Sequence, residues 1–306
     1  MKDYSIENLK IATPEEVRAM NQRCKSKIDN KIDIEDFLFV NSQKQERALK
    51  ENFIPTPYFE EYQEDFKWID LVNVITSAVF KNRVGRGRKF VIKDKNYNFI
   101  YGLVALSSPI QNRKIGEYFK EKTKENLRFK HLNENFIELS TCIGTGIMTK
   151  YLSGKMLVYM VLSQDIKNLW NLKYKTNIQY IITTSLYGKS SIYNRIKEFK
   201  YLGCSAGYNS LFTKDQINWI KEEYKKIFPY RIKTKKAKAP HLMRHYEHLF
   251  RHYKSEMPFY PLKTKRGVYL FDNQVTPFKT VNEQIEYWKS RWYFPRKERQ
   301  EQNKEK

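Results

Sequence analysis

The stretch "IITTSLYGKSSIYNRIKEFKYLG" at 181–203 gathers residues able to hold an anion. It passes from apolar β-branched residues through Tyr187, Gly188, Lys189, Ser190 and Ser191 into a run with helical spacing and a basic face. A helix starting near Ser190 would expose unpaired backbone N–H groups and the positive end of its dipole. Gly188 would let a ligand approach the backbone, Lys189 would add a cation, and both serines would add hydroxyl donors. Phosphate or carboxylate is the chemistry this group suits. The plainer alternative is that Ser190 caps the helix and Lys189 is solvated. A Walker loop is excluded, because Thr183 stands five positions before Gly188, where that motif needs glycine. A second glycine-bearing turn, "CIGTGIM" at 142–148, sets Gly144 and Gly146 between a strand-like run and a helical one.

Other constellations are more ambiguous. "GRGR" places Arg86 and Arg88 beside flexible glycines, a loop able to follow a phosphate backbone or simply to lead into a strand. His241, His245, His248 and His252 recur at helical spacing, but H-E-x-x-H is absent and Arg244 and Arg251 share their turns. Those arginines would repel a cation, so no metal is expected there. Trp288 and Trp292 lie one turn apart among Lys289, Arg291 and Arg296. This pattern suits either base stacking or packing of a terminal helix, and packing is favoured because an exposed tryptophan pair would be a liability. No Ser-His-Asp set, paired metal-binding carboxylates or nuclease-like acidic cluster stands out.

Charge is the strongest global signal. The 306 residues carry 57 Lys and Arg against 34 Asp and Glu, a formal net charge of +23. Such an excess repels itself, and a polyanion relieves it. Nucleic acid, DNA in particular, is the expected partner, with Arg86, Arg88, Arg195, Arg244 and Arg251 as the cations expected to meet phosphate. A content of 41% hydrophobic residues is enough for a substantial core. The acidic start lacks the apolar run of a secretory signal, and no apolar run is long enough to span a bilayer, so no membrane partner is expected. Cys24, Cys142 and Cys204 lack zinc spacing and a disulfide framework. A reducing cytoplasm fits best.

The elements that must position these residues follow from periodicity and breakers. Thr13 and Pro14 open a helix. Residues 65–82 read as another helix, and "NFIPTPYFEE" between them as a loop. "GRGRKFVIKDKNYNFIYGLVALSS" at 85–108 reads as a hairpin turning around Asp94–Asn98. Loop or short helices are expected over 109–131, then a strand over 135–144. A single helix capped by Ser153 is expected over 153–174, and a strand over 178–185. Then come a helix over 190–199 and a strand over 200–205. Thr213 and Gln216 have capping-box spacing ahead of a helix that Pro229 stops. The remainder is very basic and ends in a solvated tail, "RKERQEQNKEK". The order hairpin, strand, helix, strand, helix, strand implies an α/β (α+β) mixed sheet with flanking helices and matches the acetyltransferase-like (GNAT) core.

The run around Tyr187–Arg195 resembles the signature of the DruA family, component A of the Druantia anti-phage systems. Its members carry a similar T-x-S-L-Y-G-x-x-S-x-x-Y-N-R run followed by an aromatic-x-x-G turn. "GRGRKFVIKDKNYNFIYGLVALSS" and "AKAPHLMRHYEHLFRHY" also resemble segments of that family, and the likeness spans about residues 65–255. The chain is expected to divide into a helical extension over 1–64, a GNAT-like DruA core over 65–230, and a basic, mostly helical extension over 231–306. The core is distantly similar to the phage Mom-type proteins, which modify adenine in DNA. Tyr193, Phe199, Tyr201 and Gly203 match the Mom pattern; its aspartate after the strand is missing, and Tyr187 stands nearby. The resemblance implies a role in anti-phage defence, as a nucleic-acid-binding protein, as a transferase, or as a non-catalytic scaffold for a helicase-type partner. In a transferase, Glu138 and Tyr193 are the candidate bases and Tyr187 a further catalytic candidate. Gly144, Gly146, Gly188, Lys189, Ser190 and Ser191 would line a cofactor site, with acetyl-CoA as the implied cofactor.

Overall fold

The computed structural model describes residues 11–24, 28, 31–63, 66–76, 85–209, 212–231, 239–260 and 262–303. Its strands are β1 (Pro57–Glu61), β2 (Gly87–Asp94), β3 (Ile100–Ser107), β4 (Phe136–Gly144), β5 (Tyr180–Thr184), β6 (Lys200–Asn209) and β7 (Leu262–Asp272). The helices of the first half are α1 (Pro14–Cys24), α2 (Lys31–Lys50), α3 (Trp68–Ile75), α4 (Arg113–Thr123) and α5 (Phe129–Asn135). Those of the second half are α6 (Ser153–Val161), α7 (Gln164–Tyr174), α8 (Lys214–Ile227), α9 (Ala239–Tyr253), α10 (Val281–Trp288) and α11 (Phe294–Gln302).

The strands form one mixed sheet in the order β1-β2-β3-β4-β5-β7-β6. β1 through β4 pair antiparallel, β4 and β5 pair parallel, and β5 pairs antiparallel with β7. Asp94 closes the β2–β3 hairpin: its carboxylate accepts from the Asn96 and Tyr97 N–H groups and from the Tyr101 hydroxyl at 2.7 Å. Both faces of the sheet are buried, so its central strands read as continuous apolar runs. On one face Phe90, Val104, Ile137 and Ile181 pack against α6, α7 and α10. On the other, Val91, Leu103 and Ala105 meet α2 and α3, while Phe136, Ile182 and Leu270 meet α4 and α5.

By compactness the chain divides into two units. One holds 28–76, 80–205 and 266–306, with the sheet and the packing just described. The other holds 1–27, 77–79 and 206–265. Its own core comprises Phe212, Ile220 and Tyr224 with Tyr246, Leu249 and Phe250, which joins α8 to α9. Among the described residues no helix is long and apolar enough to cross a membrane.

Several local expectations are corrected. "NFIPTPYFEE" is not all loop: it supplies β1, an edge strand whose first residue is Pro57. Proline is tolerated there because the missing donor falls at the strand's start. Helix α2 was not foreseen, because its inner face carries buried Asn41 and Gln45 beside Ile34. The expected 65–82 helix runs over Trp68–Ile75; its end at 77–82 lies outside the described residues. The 153–174 helix is two, because Ser163 starts a new one by accepting from the Ile166 N–H. Ser153 is not the cap of the first; Leu152 holds that place in the left-handed region, with φ 63°. Residues 190–199 contain one 3-10 turn, Tyr193–Arg195, in place of a helix. The Ser190 hydroxyl accepts from the Ile192 and Tyr193 N–H groups, and Tyr193, Ile196 and Phe199 enter the core at three-residue spacing. The tail is helical through Gln302, and β7 lies within the stretch expected to be mostly helical.

Candidate functional site

In an open α/β sheet the place for chemistry is the crevice beyond the carboxyl ends of parallel strands. Here it lies where β4 and β5 part. Their pairing runs from Phe136–Tyr180 to Leu139–Thr183 and stops. Beyond it β4 continues along β3 to Gly144. The register between β3 and β4 slips at this point: Ala105 faces Thr141 and Leu106 faces Leu139, leaving Ser140 as a bulge. Bulges gather beside active sites, where they re-aim backbone groups. The Thr183 hydroxyl donates to the Leu139 carbonyl at 2.9 Å and closes the base of the fork.

The sequence signals of 142–148 and 183–203 meet at this fork. Gly144 lies against Ser153, and Gly154 lies against Ile192, so the first turn of α6 abuts the loop after β5. Ser153 is fully buried and its hydroxyl has no hydrogen-bond partner. Tyr193 is buried with its ring 5.4 Å from that of Tyr269. Burial, and secondarily Cys142, push its phenol well above the ordinary tyrosine range. Burial thus favours the protonated phenol of Tyr193 over its phenolate. The Cys142 thiol is pushed up to about 12 by burial, which makes it a poor nucleophile. Lys155 was not singled out in the sequence. It is 4% exposed, and burial, with the Arg195 guanidinium nearby, holds its ammonium below the usual lysine range. The signal was present, since Lys155 interrupts the apolar run "SGKMLVYMVL".

Other expected site residues are engaged elsewhere. The Ser190 N–H donates to the Tyr269 hydroxyl at 2.7 Å, Gly188 bridges to Arg266, and the Ser185 hydroxyl donates to the Gly188 carbonyl. With no helix starting at Ser190, the dipole expected to attract an anion is absent from that turn. Tyr187 is half-buried in this turn, Lys189 lies over the Tyr201 ring at 5.4 Å, and Ser191 is exposed. Gly146, at φ +59°, is held by packing: a Cβ there would come within 2.4 Å of Gln45 Oε1. Gln45 fills the space beside the 144–148 loop and accepts from the Met148 N–H at 3.1 Å. Glu138 is buried at 4% exposure and accepts from the Ile110 N–H. By strand alternation it shares the Phe136 face, whereas Tyr193 packs in the cluster on the other face, so the two cannot serve as one pair.

The expected phosphate-binding arginines differ in availability. Arg88 pairs with Glu61 at 2.7 Å and donates to the Leu169 carbonyl. Arg86 donates to the Asn133 carbonyl and lies near the Trp170 and Tyr174 rings. Both therefore hold the fold. Arg195, Arg244 and Arg251 are exposed. His245 stacks on Tyr224 at 3.8 Å, His248 meets the Tyr224 hydroxyl at 3.1 Å, and His252 lies near the Phe228 ring, so these histidines line the α8–α9 seam. The His241 side chain lies outside the described residues. Among the described residues no cluster suits a metal ion. Trp288 is buried and donates to the Leu152 carbonyl, so it packs α10 onto the core.

Compared with known proteins, the chain matches no family model, no curated protein and no solved structure.

Proposed function

We propose that this chain is a DruA-like nucleic-acid-binding protein with a GNAT-like core, acting in anti-phage defence or another phage–host conflict. The observation that carries nucleic acid is the net charge of +23, with Arg195, Arg244 and Arg251 exposed to solvent. The GNAT-like reading draws on the chain order of hairpin, strand, helices and strand, whose parallel pair brackets α6 and α7. The defence role rests on the sequence resemblance around Tyr187–Arg195. The cytoplasm is the compartment proposed, and free Cys142 and Cys204 fit it. Titration of a labelled DNA duplex over a range of salt tests the nucleic-acid reading. For each phosphate neutralised, log K is expected to fall by about 0.9 per tenfold rise in salt. A flat response would remove the electrostatic case.

The fork between β4 and β5 favours a second reading, a transferase that places an acyl-derived group on a nucleobase. Acetyl-CoA would supply the acyl group. The 144–148 loop fits its pyrophosphate poorly, because Gln45 fills the space at Gly146. In the first turn of α6 the cation left for it is the Lys155 ammonium, beneath the Trp292 ring. Calorimetry with acetyl-CoA on protein freed of nucleic acid separates the readings. Micromolar binding, lost in Lys155→Ala, supports the transferase. No heat at millimolar cofactor removes it and leaves a binder or a scaffold for a helicase-type partner.

A further inference from the structure

Many cations of this chain are answered by nearby acids: Arg88 by Glu61, Lys93 by Glu60, Lys122 by Asp272 and Lys289 by Glu286. Among the described residues, five cations around α6 and α10 have no such partner. Where α6 meets α10, a π turn over Lys289–Tyr293 follows α10 and carries Trp292 across Lys155. Cations there rest on ring faces. Lys155 Nζ lies 4.7 Å and Arg291 Cζ 5.0 Å from the Trp292 ring centroid. Lys197 Nζ lies 5.1 Å and Lys279 Nζ 5.8 Å from that of Tyr287. Arg195 is close enough to Lys155 to disfavour its charge. Among the described residues, none of these five cations forms an ion pair.

A ring face holds a cation in place without neutralising it. Three carboxylates of the described residues lie in this region, and Glu283 feels the Lys279 charge. Glu283 accepts from the Thr280 N–H and hydroxyl, Glu286 takes Lys289, and buried Glu198 Oε2 has no donor. Lys197, Lys279, Arg291 and Arg195 are exposed, so their charge faces solvent. Lys155 sits beneath them, and a buried ammonium without an acid partner is costly. An anion bridging Lys155 and Arg195 would offset that cost.

We propose that this surface, over α6, α10 and the π turn, binds the backbone phosphates of nucleic acid without regard to sequence. The proposal rests on the nucleic-acid reading above and names where contact is made. Phosphate contacts carry affinity and salt dependence, whereas base edges carry sequence.

The test uses the full chain and two labelled DNA duplexes of unrelated sequence, titrated at several salt concentrations. Replacing Lys197, Lys279 and Arg291 together by Gln is expected to lower the salt slope by about 3, with equal loss for both duplexes. Arg195→Gln alone, on an exposed side chain, is expected to lower it by about 1. Wild-type protein that binds with a steep slope, beside variants that keep that slope, overturns this inference and leaves the nucleic-acid reading standing. Wild-type protein that binds neither duplex overturns both.

Discussion

Gln45 does more for this fold than an amide inside a helix ordinarily does. Fully buried on α2, it donates to the Ile100 carbonyl at 2.7 Å and to the Thr145 carbonyl at 3.3 Å, and accepts from the Met148 N–H. It ties a helix to the turn after β4. Gln45→Ala would strand a buried donor and open a cavity, and is expected to cost about 3 kcal/mol. Urea unfolding measures this; a loss under about 1 kcal/mol would mean that water replaces the amide. The same residue explains why Gly144 and Gly146 misled as a phosphate cradle. Glycine in a turn signals close approach, but the sequence does not say whether a ligand or the chain's own helix approaches. Arg195 was legible as an exposed cation. Lys155 and Ser153 were not legible as unpartnered groups, because burial without a partner is a property of the packed molecule.

Among the elements, α8 was the most readable. Thr213 accepts from the Gln216 N–H while Gln216 returns a bond to the Thr213 N–H, a complete capping box. Thr213→Ala is expected to cost about 1 kcal/mol, and Thr213→Ser much less. Hydrogen exchange at Lys214–Gln216 reports it, and unchanged protection in the alanine variant would show that tertiary packing alone holds the helix start. The hairpin of β2 and β3 was equally clear, because Asp94 and Asn98 mark its turn. Other elements hid for physical reasons. β1 begins with a proline that reads as a breaker, and α2 hides polar residues on its inner face. The 190–199 run has a helical pattern, yet Ser190 bonds its own neighbours and a 3-10 turn wins. β7 lay unrecognised in a basic stretch, because its neighbours come from much earlier in the chain.

For the molecule as a whole, charge and topology pull on different processes. The excess of cations favours any polyanion that neutralises it, which is why binding is expected to weaken as salt screens the surface. Topology bears on how the fold is reached. β7 lies between β5 and β6, yet it follows both in the chain. During synthesis, therefore, β5 and β6 leave the ribosome before the strand that joins them exists. Until Leu262–Asp272 emerges, the edge of β5 offers unpaired backbone groups to any extended chain it meets. Closing the sheet then requires a long loop to be fixed, so its last step is slow and non-local. The nascent protein thus passes through a stage when β7 must outcompete neighbouring polypeptides, a hazard that shielding by a chaperone would reduce.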